Sequence, residues 1–159
     1  MRKLALCLVV LAVAGAASCG RDHHRPAQVI TDERDALAIL EASPWLDRAP
    51  THETDVIHLW AFARGEGVYF VGNAYKGSYE MLTYFVEGDE LRVRFLDENK
   101  TYKTRFTLER TPADPVFDYK LTLAGSPRGP KVYFGFDARG RKGAVPAAAA
   151  RARAMLGGD

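Results

Sequence analysis

Glu90-Leu91-Arg92-Val93-Arg94-Phe95-Leu96 is followed by the polar turn Asp97-Glu98-Asn99-Lys100 and then by Tyr102-Lys103-Thr104-Arg105-Phe106-Thr107-Leu108-Glu109-Arg110. Apolar and polar side chains alternate through both runs: Leu91, Val93 and Phe95 oppose Arg92 and Arg94, and Tyr102, Phe106 and Leu108 oppose Lys103, Arg105 and Glu109. A period of two belongs to a strand with one dry and one wet face. A connection of a few residues rich in Asp and Asn joins antiparallel neighbours. The stretch predicts a β-hairpin.

The same punctuation extends in both directions. Residues 56–63 end at Arg64-Gly65-Glu66-Gly67, residues 68–75 at Lys76-Gly77, and residues 78–86 at Glu87-Gly88-Asp89; residues 117–123 and 131–137 complete the series, and Trp45 to Arg48 offers one more short strand. Helical period is absent between residues 56 and 137, so parallel crossovers have no room and the topology is a meander. An open sheet of this length leaves unpaired edges, which closure removes. The expected fold is therefore mainly β, an antiparallel meander closed into a small, about eight-stranded barrel whose interior just holds side chains or one small ligand. Ile57, Leu59 and Ala61 oppose Trp60 and Phe62 on a strand apolar on both faces, so its second face needs a cover, supplied by the N-terminal helix or the tail. Tyr79, Met81 and Phe85 share one face, assigned here to core packing. A short helix is expected over residues 32–42, capped by Thr31 and stopped by Ser43-Pro44.

At the N-terminus, Arg2 and Lys3 precede an apolar run from Leu4 to Ala17, too short for a lasting bilayer span, and the small triplet Ala16-Ala17-Ser18 leads into Cys19. This is a secretory signal over residues 1–18. The ending on cysteine resembles the lipobox of bacterial lipoproteins, and the resemblance implies lipidation of Cys19 and a mature chain that begins there; a plain signal cut after Ala16 is the alternative. Gly20 in the next position implies, on the same resemblance, anchoring in the outer membrane facing the periplasm rather than retention in the inner one. Cys7 and Cys19 are the only cysteines, so a mature domain without a disulfide is expected. Residues 19–30, with His23 and His24, read as a lipidated cysteine and tether, residues 31–137 as the barrel domain with its helix, and residues 138–159 as a basic, Ala-rich tail with a helix over 147–156. Of 22 basic residues Arg2 and Lys3 leave with the signal, and the remaining 20 balance 20 acidic ones. A formally neutral body gives no support to nucleic-acid binding.

Chemistry-bearing motifs are sparse. The chain holds no Cys-x-x-Cys, no His-Glu-x-x-His, no Gly-x-Ser-x-Gly and no phosphate-cradling glycine loop. His52 and His58 flank Glu53 and Asp55, but six residues of extended chain part the two rings by roughly 20 Å. No metal site, cofactor or catalytic residue is assigned, and the protein is not expected to be an enzyme. Arg128 lies between Pro127 and Pro130 in a stiffened loop, where its fork either meets a ligand carboxylate or phosphate or pairs with an acidic side chain of the protein.

The run Gly-Val-Tyr-Phe-Val-Gly-Asn-Ala-Tyr-Lys-Gly-Ser-Tyr-Glu at 67–80, a tryptophan at the first strand and Ser126-Pro127-Arg128-Gly129-Pro130 before the last resemble lipocalin-like domains of bacterial lipoproteins over residues 44–137. The resemblance implies a ligand-holding barrel. The expected function is a lipid-anchored cell-envelope module that binds a small apolar or amphipathic ligand, with Arg128, His58 and Trp60 as candidate contacts. The alternative is a structural or assembly protein of the envelope, with a filled barrel that docks a protein partner. Few small residues, Thr104 and Ala61, stand among Phe106, Leu108, Tyr119 and Leu121, which points to a filled core.

Overall fold

The computed structural model describes residues 26–111, 114 and 116–137. The signal, Cys19 and the tail helix lie outside the described residues. The elements run β1 (Gln28–Val29), α1 (Glu33–Ala42), β2 (Trp45–Leu46), β3 (Ile57–Ala63), β4 (Glu66–Gly72), β5 (Gly77–Glu87), β6 (Glu90–Phe95), β7 (Thr101–Arg110), β8 (Tyr119–Leu123) and β9 (Val132–Gly135). Strands β2 to β7 follow one another as antiparallel neighbours, β7 pairs with β8, β8 with β9, and β9 returns to β2. The result is a closed barrel of eight antiparallel strands. Two-residue β1 adds to β7 through the register Gln28↔Arg110, so the last residues of the expected tether are ordered on the wall.

Turn chemistry sets the registers. Ala63 faces Glu66 across Arg64-Gly65, which have φ of 52° and 85°, the left-handed pair that a tight two-residue hairpin requires. Gly88, at φ 60°, serves the β5–β6 hairpin in the same way. These two turns and the end of β7 mark one end of the barrel, and α1 closes it. Its N-cap is Asp32, not Thr31: the Asp32 carboxylate accepts from the Asp35 backbone N–H at 2.9 Å, which a residue one position earlier does not reach in this geometry. Glu41 of α1 accepts from Arg64 N, and Glu33 from Gly88 N, so the helix is tied to both turns.

The interior is solid. Trp45, Trp60, Phe62, Tyr69, Tyr84, Phe95, Phe106, Tyr119 and Tyr133 are buried in one cluster with Leu82, Leu91, Leu108 and Leu121, and Ala36 and Leu40 of α1 complete it. Thr104 is a small inward residue, whereas Ala61 faces outward. The second face of β3 is covered neither by α1 nor by any other described helix. Leu46, Ile57 and Leu59 form an outer core with Phe117, from the β7–β8 connection, and Phe136, just after β9; Phe117 stacks on Phe134 at 5.2 Å.

Tyr79, Met81 and Phe85 do not pack in a core. They point outward from β5 and are 71%, 44% and 59% exposed, because the partners on that strand that face inward are Leu82 and Tyr84. Leu96, 65% exposed, joins the row through its backbone N–H to Met81 O at 2.9 Å.

Candidate functional site at the mouth of the barrel

The end opposite α1 carries the connections 47–56, 73–76, 96–100 and 124–131. One of them, 124–131, crosses the mouth as a strap. Its two feet are fixed by Ala124 N to Arg105 O at 2.8 Å, Gly125 N to Thr104 Oγ1 at 3.0 Å and Leu123 N to Lys131 O at 2.7 Å. In its middle, the Arg128 carbonyl accepts from the Ser126 hydroxyl and, at 3.2 Å, from the Tyr133 hydroxyl.

Arg128 provides the lateral ties. Its Nε and Nη2 both donate to Glu80, at 3.0 and 2.9 Å, and Nη2 donates also to Glu98. The guanidinium carbon lies 4.3 Å from the centre of the Phe95 ring and 5.9 Å from that of Tyr102. A planar cation that stacks on an aromatic shelf and fills its fork with carboxylate is the geometry arginine suits and lysine does not. Of the two roles open to Arg128, pairing with the protein's own acidic groups is the one seen. Glu98 is held in place by the Tyr102 hydroxyl at 2.7 Å, and that hydrogen bond, with Arg128 second, lowers its pKa. The Glu80 hydrogen bond, opposed by burial, raises that of Arg128.

Beneath the strap lies a polar cluster set in aromatic walls. His58 Nδ1 meets the Tyr69 hydroxyl at 2.5 Å, and the Tyr133 hydroxyl is close by. Gly129 rests on all three, with φ 63°: a Cβ there would stand 2.7 Å from the Tyr133 hydroxyl, 2.9 Å from His58 Nδ1 and 2.9 Å from the Tyr69 hydroxyl. Only a residue without a side chain fits. Trp60 packs 5.0 Å from Tyr69 and 6.0 Å from Phe95 between ring centres. Its indole N–H is buried beside the Tyr133 hydroxyl, close enough to favour the phenolate, yet it has no hydrogen-bond partner among the described residues. Burial nevertheless dominates and pushes the Tyr133 hydroxyl up to about 12; the Tyr69 hydroxyl is raised too, by burial first and then by the charge of Glu80.

His58, Trp60 and Arg128 thus converge on one end of the barrel, although their positions in sequence do not announce it. Glu80, Glu98, Tyr69 and Tyr133 are the partners that sequence reasoning missed as members of one site. Glu80 carried a signal: it is a charge at a position sharing inward parity with Leu82 and Tyr84. His52 lies in the 47–56 connection and not in this cluster; there Asp55 accepts from the backbone N–H groups of His52 and Thr51, which lowers the Asp55 pKa to about 2. The described residues contain no group of three metal-ligating side chains. At the other end, a cleft of about 390 Å³ lies between Ile30, Ala36, Gly88, Phe106 and Leu108.

No protein-family model, curated protein or solved structure matches this chain. The site therefore stands on its geometry.

Proposed function

We propose that this protein is a lipid-anchored, non-enzymatic protein of the cell envelope whose solid barrel serves as a docking body for a protein partner. One observation carries the docking reading: aromatic side chains fill the interior while Tyr79, Met81 and Leu96, and beyond Thr83 also Phe85, stand exposed on one outer face. Contiguous exposed apolar side chains mark interaction surfaces, whereas single ones do not. The row is bordered on β6 by Arg92, 6.0 Å from the Phe85 ring and already paired with Glu87 and Glu90, and by Arg94 opposite Thr83, so the partner suited to it offers chiefly apolar side chains within a mixed-charge rim. The interior is apolar, and the outward side chains of β6 and β7 include Arg92, Arg94, Lys103, Arg105 and Glu109, the reverse of a membrane-spanning barrel. Membrane attachment would therefore come from Cys19, with the barrel held in the periplasm by an outer-membrane anchor.

Two experiments test this reading. A photo-crosslinking residue at position 85 is expected to give a discrete adduct in envelope fractions and the same residue at position 122, on the outer wall of β8, none; no adduct at 85 contradicts docking. Incorporation of labelled palmitate is expected in the wild type and absent in Cys19→Ala, and retention of label in the variant contradicts the anchor.

A second reading, a binding module for a small amphipathic ligand, is favoured by the orphaned Trp60 N–H under the strap. With the interior filled, its site is the mouth.

A further inference from the structure

Three features of the mouth belong together. The strap is closed over a buried indole N–H with no well-formed acceptor among the described residues, it rests on its cluster through a bare glycine, and it is tied down by a single cation shared between two carboxylates. A guanidinium needs one carboxylate to be neutralised, and Glu80 already supplies it in a two-pronged contact. Glu98 is the surplus anion. It sits on the β6–β7 turn, about three-tenths exposed, and the oxygen that does not meet Arg128 accepts from the Tyr102 hydroxyl. Glu98 meets Arg128 through one oxygen, so this arm, unlike the two-pronged Glu80 contact, is the one open to exchange with another anion.

We propose that residues 124–131 are a latched strap over a ligand site, with Glu98 acting as the built-in stand-in for the anionic group of a small aromatic ligand. In the exchange, the ligand's carboxylate or phosphate takes the Nη2 of Arg128 from Glu98. Its ring enters against Phe95, Tyr69 and Trp60 as Gly129 lifts, and an acceptor on the ligand meets the Trp60 N–H. The chemistry that selects the ligand is an aromatic body, one anionic group and an acceptor a ring's breadth away. This inference rests on the ligand-binding reading of the mouth and is independent of the docking row on β5.

The probe is 1-naphthoate, with 1-naphthalenemethanol as its neutral counterpart, titrated into the ¹⁵N-labelled full mature chain while the two indole N–H resonances are followed. They are assigned with Trp60→Phe. Naphthoate is expected to move the Trp60 resonance and leave that of Trp45 in place, Glu98→Gln to tighten its binding at least fivefold, and Arg128→Lys to reduce the preference for naphthoate over the alcohol at least fivefold. If naphthoate moves neither resonance in the wild type or in Glu98→Gln, the mouth is not a ligand site and the inference falls with that reading. If it moves Trp60 with equal affinity in both proteins, the ligand site stands and the latch is wrong.

Discussion

The chain's two tryptophans lie directly opposite each other, Trp45 on β2 and Trp60 on β3, yet their indole N–H groups serve opposite ends of the barrel. That of Trp45 donates to the Leu40 carbonyl of α1 at 2.9 Å, under a plug of buried Ala36 and Leu40. That of Trp60 has no acceptor among the described residues and lies under a strap held by Arg128, Glu80 and Glu98. Apolar closure draws its free energy from area removed from water and is not screened by salt. Closure by partly exposed ion pairs is weakened by salt and open to a competing anion. One end of this barrel is built to stay shut and the other to be opened.

That contrast breaks most visibly at Leu40, which is fully buried. Leu40→Ala is expected to cost about 2–5 kcal/mol in urea unfolding, by the same amount at low and high salt; a loss below 1 kcal/mol would mean that α1 is not a plug. The two ends are linked through alkali. The Tyr84 hydroxyl, held under α1 by burial and by Glu41 at 2.5 Å, and the Tyr133 hydroxyl beneath the strap are both pushed up to about 12. An unfolded tyrosine titrates near 10. Between those values the unfolded chain binds fewer protons, so stability is full below pH 10 and falls as pH rises towards 12, by up to about 2.7 kcal/mol for a two-unit shift. Tyr84→Phe and Tyr133→Phe are each expected to remove part of that fall, measured as the unfolding midpoint between pH 9 and 11.5.

Two glycines sharpen the comparison. Gly88 and Gly129 have φ of 60° and 63°, but a Cβ at Gly88 meets open space while one at Gly129 meets the Tyr133 hydroxyl. Gly88→Ala is expected to cost only the left-handed backbone penalty, about 1 kcal/mol, and Gly129→Ala that penalty and more, towards about 2 kcal/mol; equal costs would mean that the strap does not press on the cluster. Smaller still, Glu80→Gln and Glu98→Gln are each expected to cost less than about 1 kcal/mol, with the cost shrinking as salt rises. Phe85→Ser on the outer row is expected within about 0.5 kcal/mol of wild type while the adduct formed by a photo-crosslinking residue at position 81 disappears.

Much of this was legible in the sequence, because closure, strand number and turn positions follow from alternation and from Gly, Asp and Asn at the links. What alternation gives is two faces, not which of them the core claims. On β5 both faces carry aromatics, and Tyr79 and Phe85 lost the interior to Leu82 and Tyr84 through a register fixed by β4 and β6. The outer core escaped for a related reason: Phe117 and Phe136 reach Leu46 and Ile57 only through the closed barrel. The site was legible as residues and not as a constellation. Arg128 meets carboxylates 48 and 30 positions earlier, and no local spacing encodes such pairs.

Hydrogen exchange of the two indole protons tests the difference between the ends most directly. Trp45 is predicted to exchange only with global unfolding, and Trp60 many times faster, faster again in Glu98→Gln and with no change at Trp45. Equal protection of the two protons, unaltered by Glu98→Gln, would contradict an end that opens by itself.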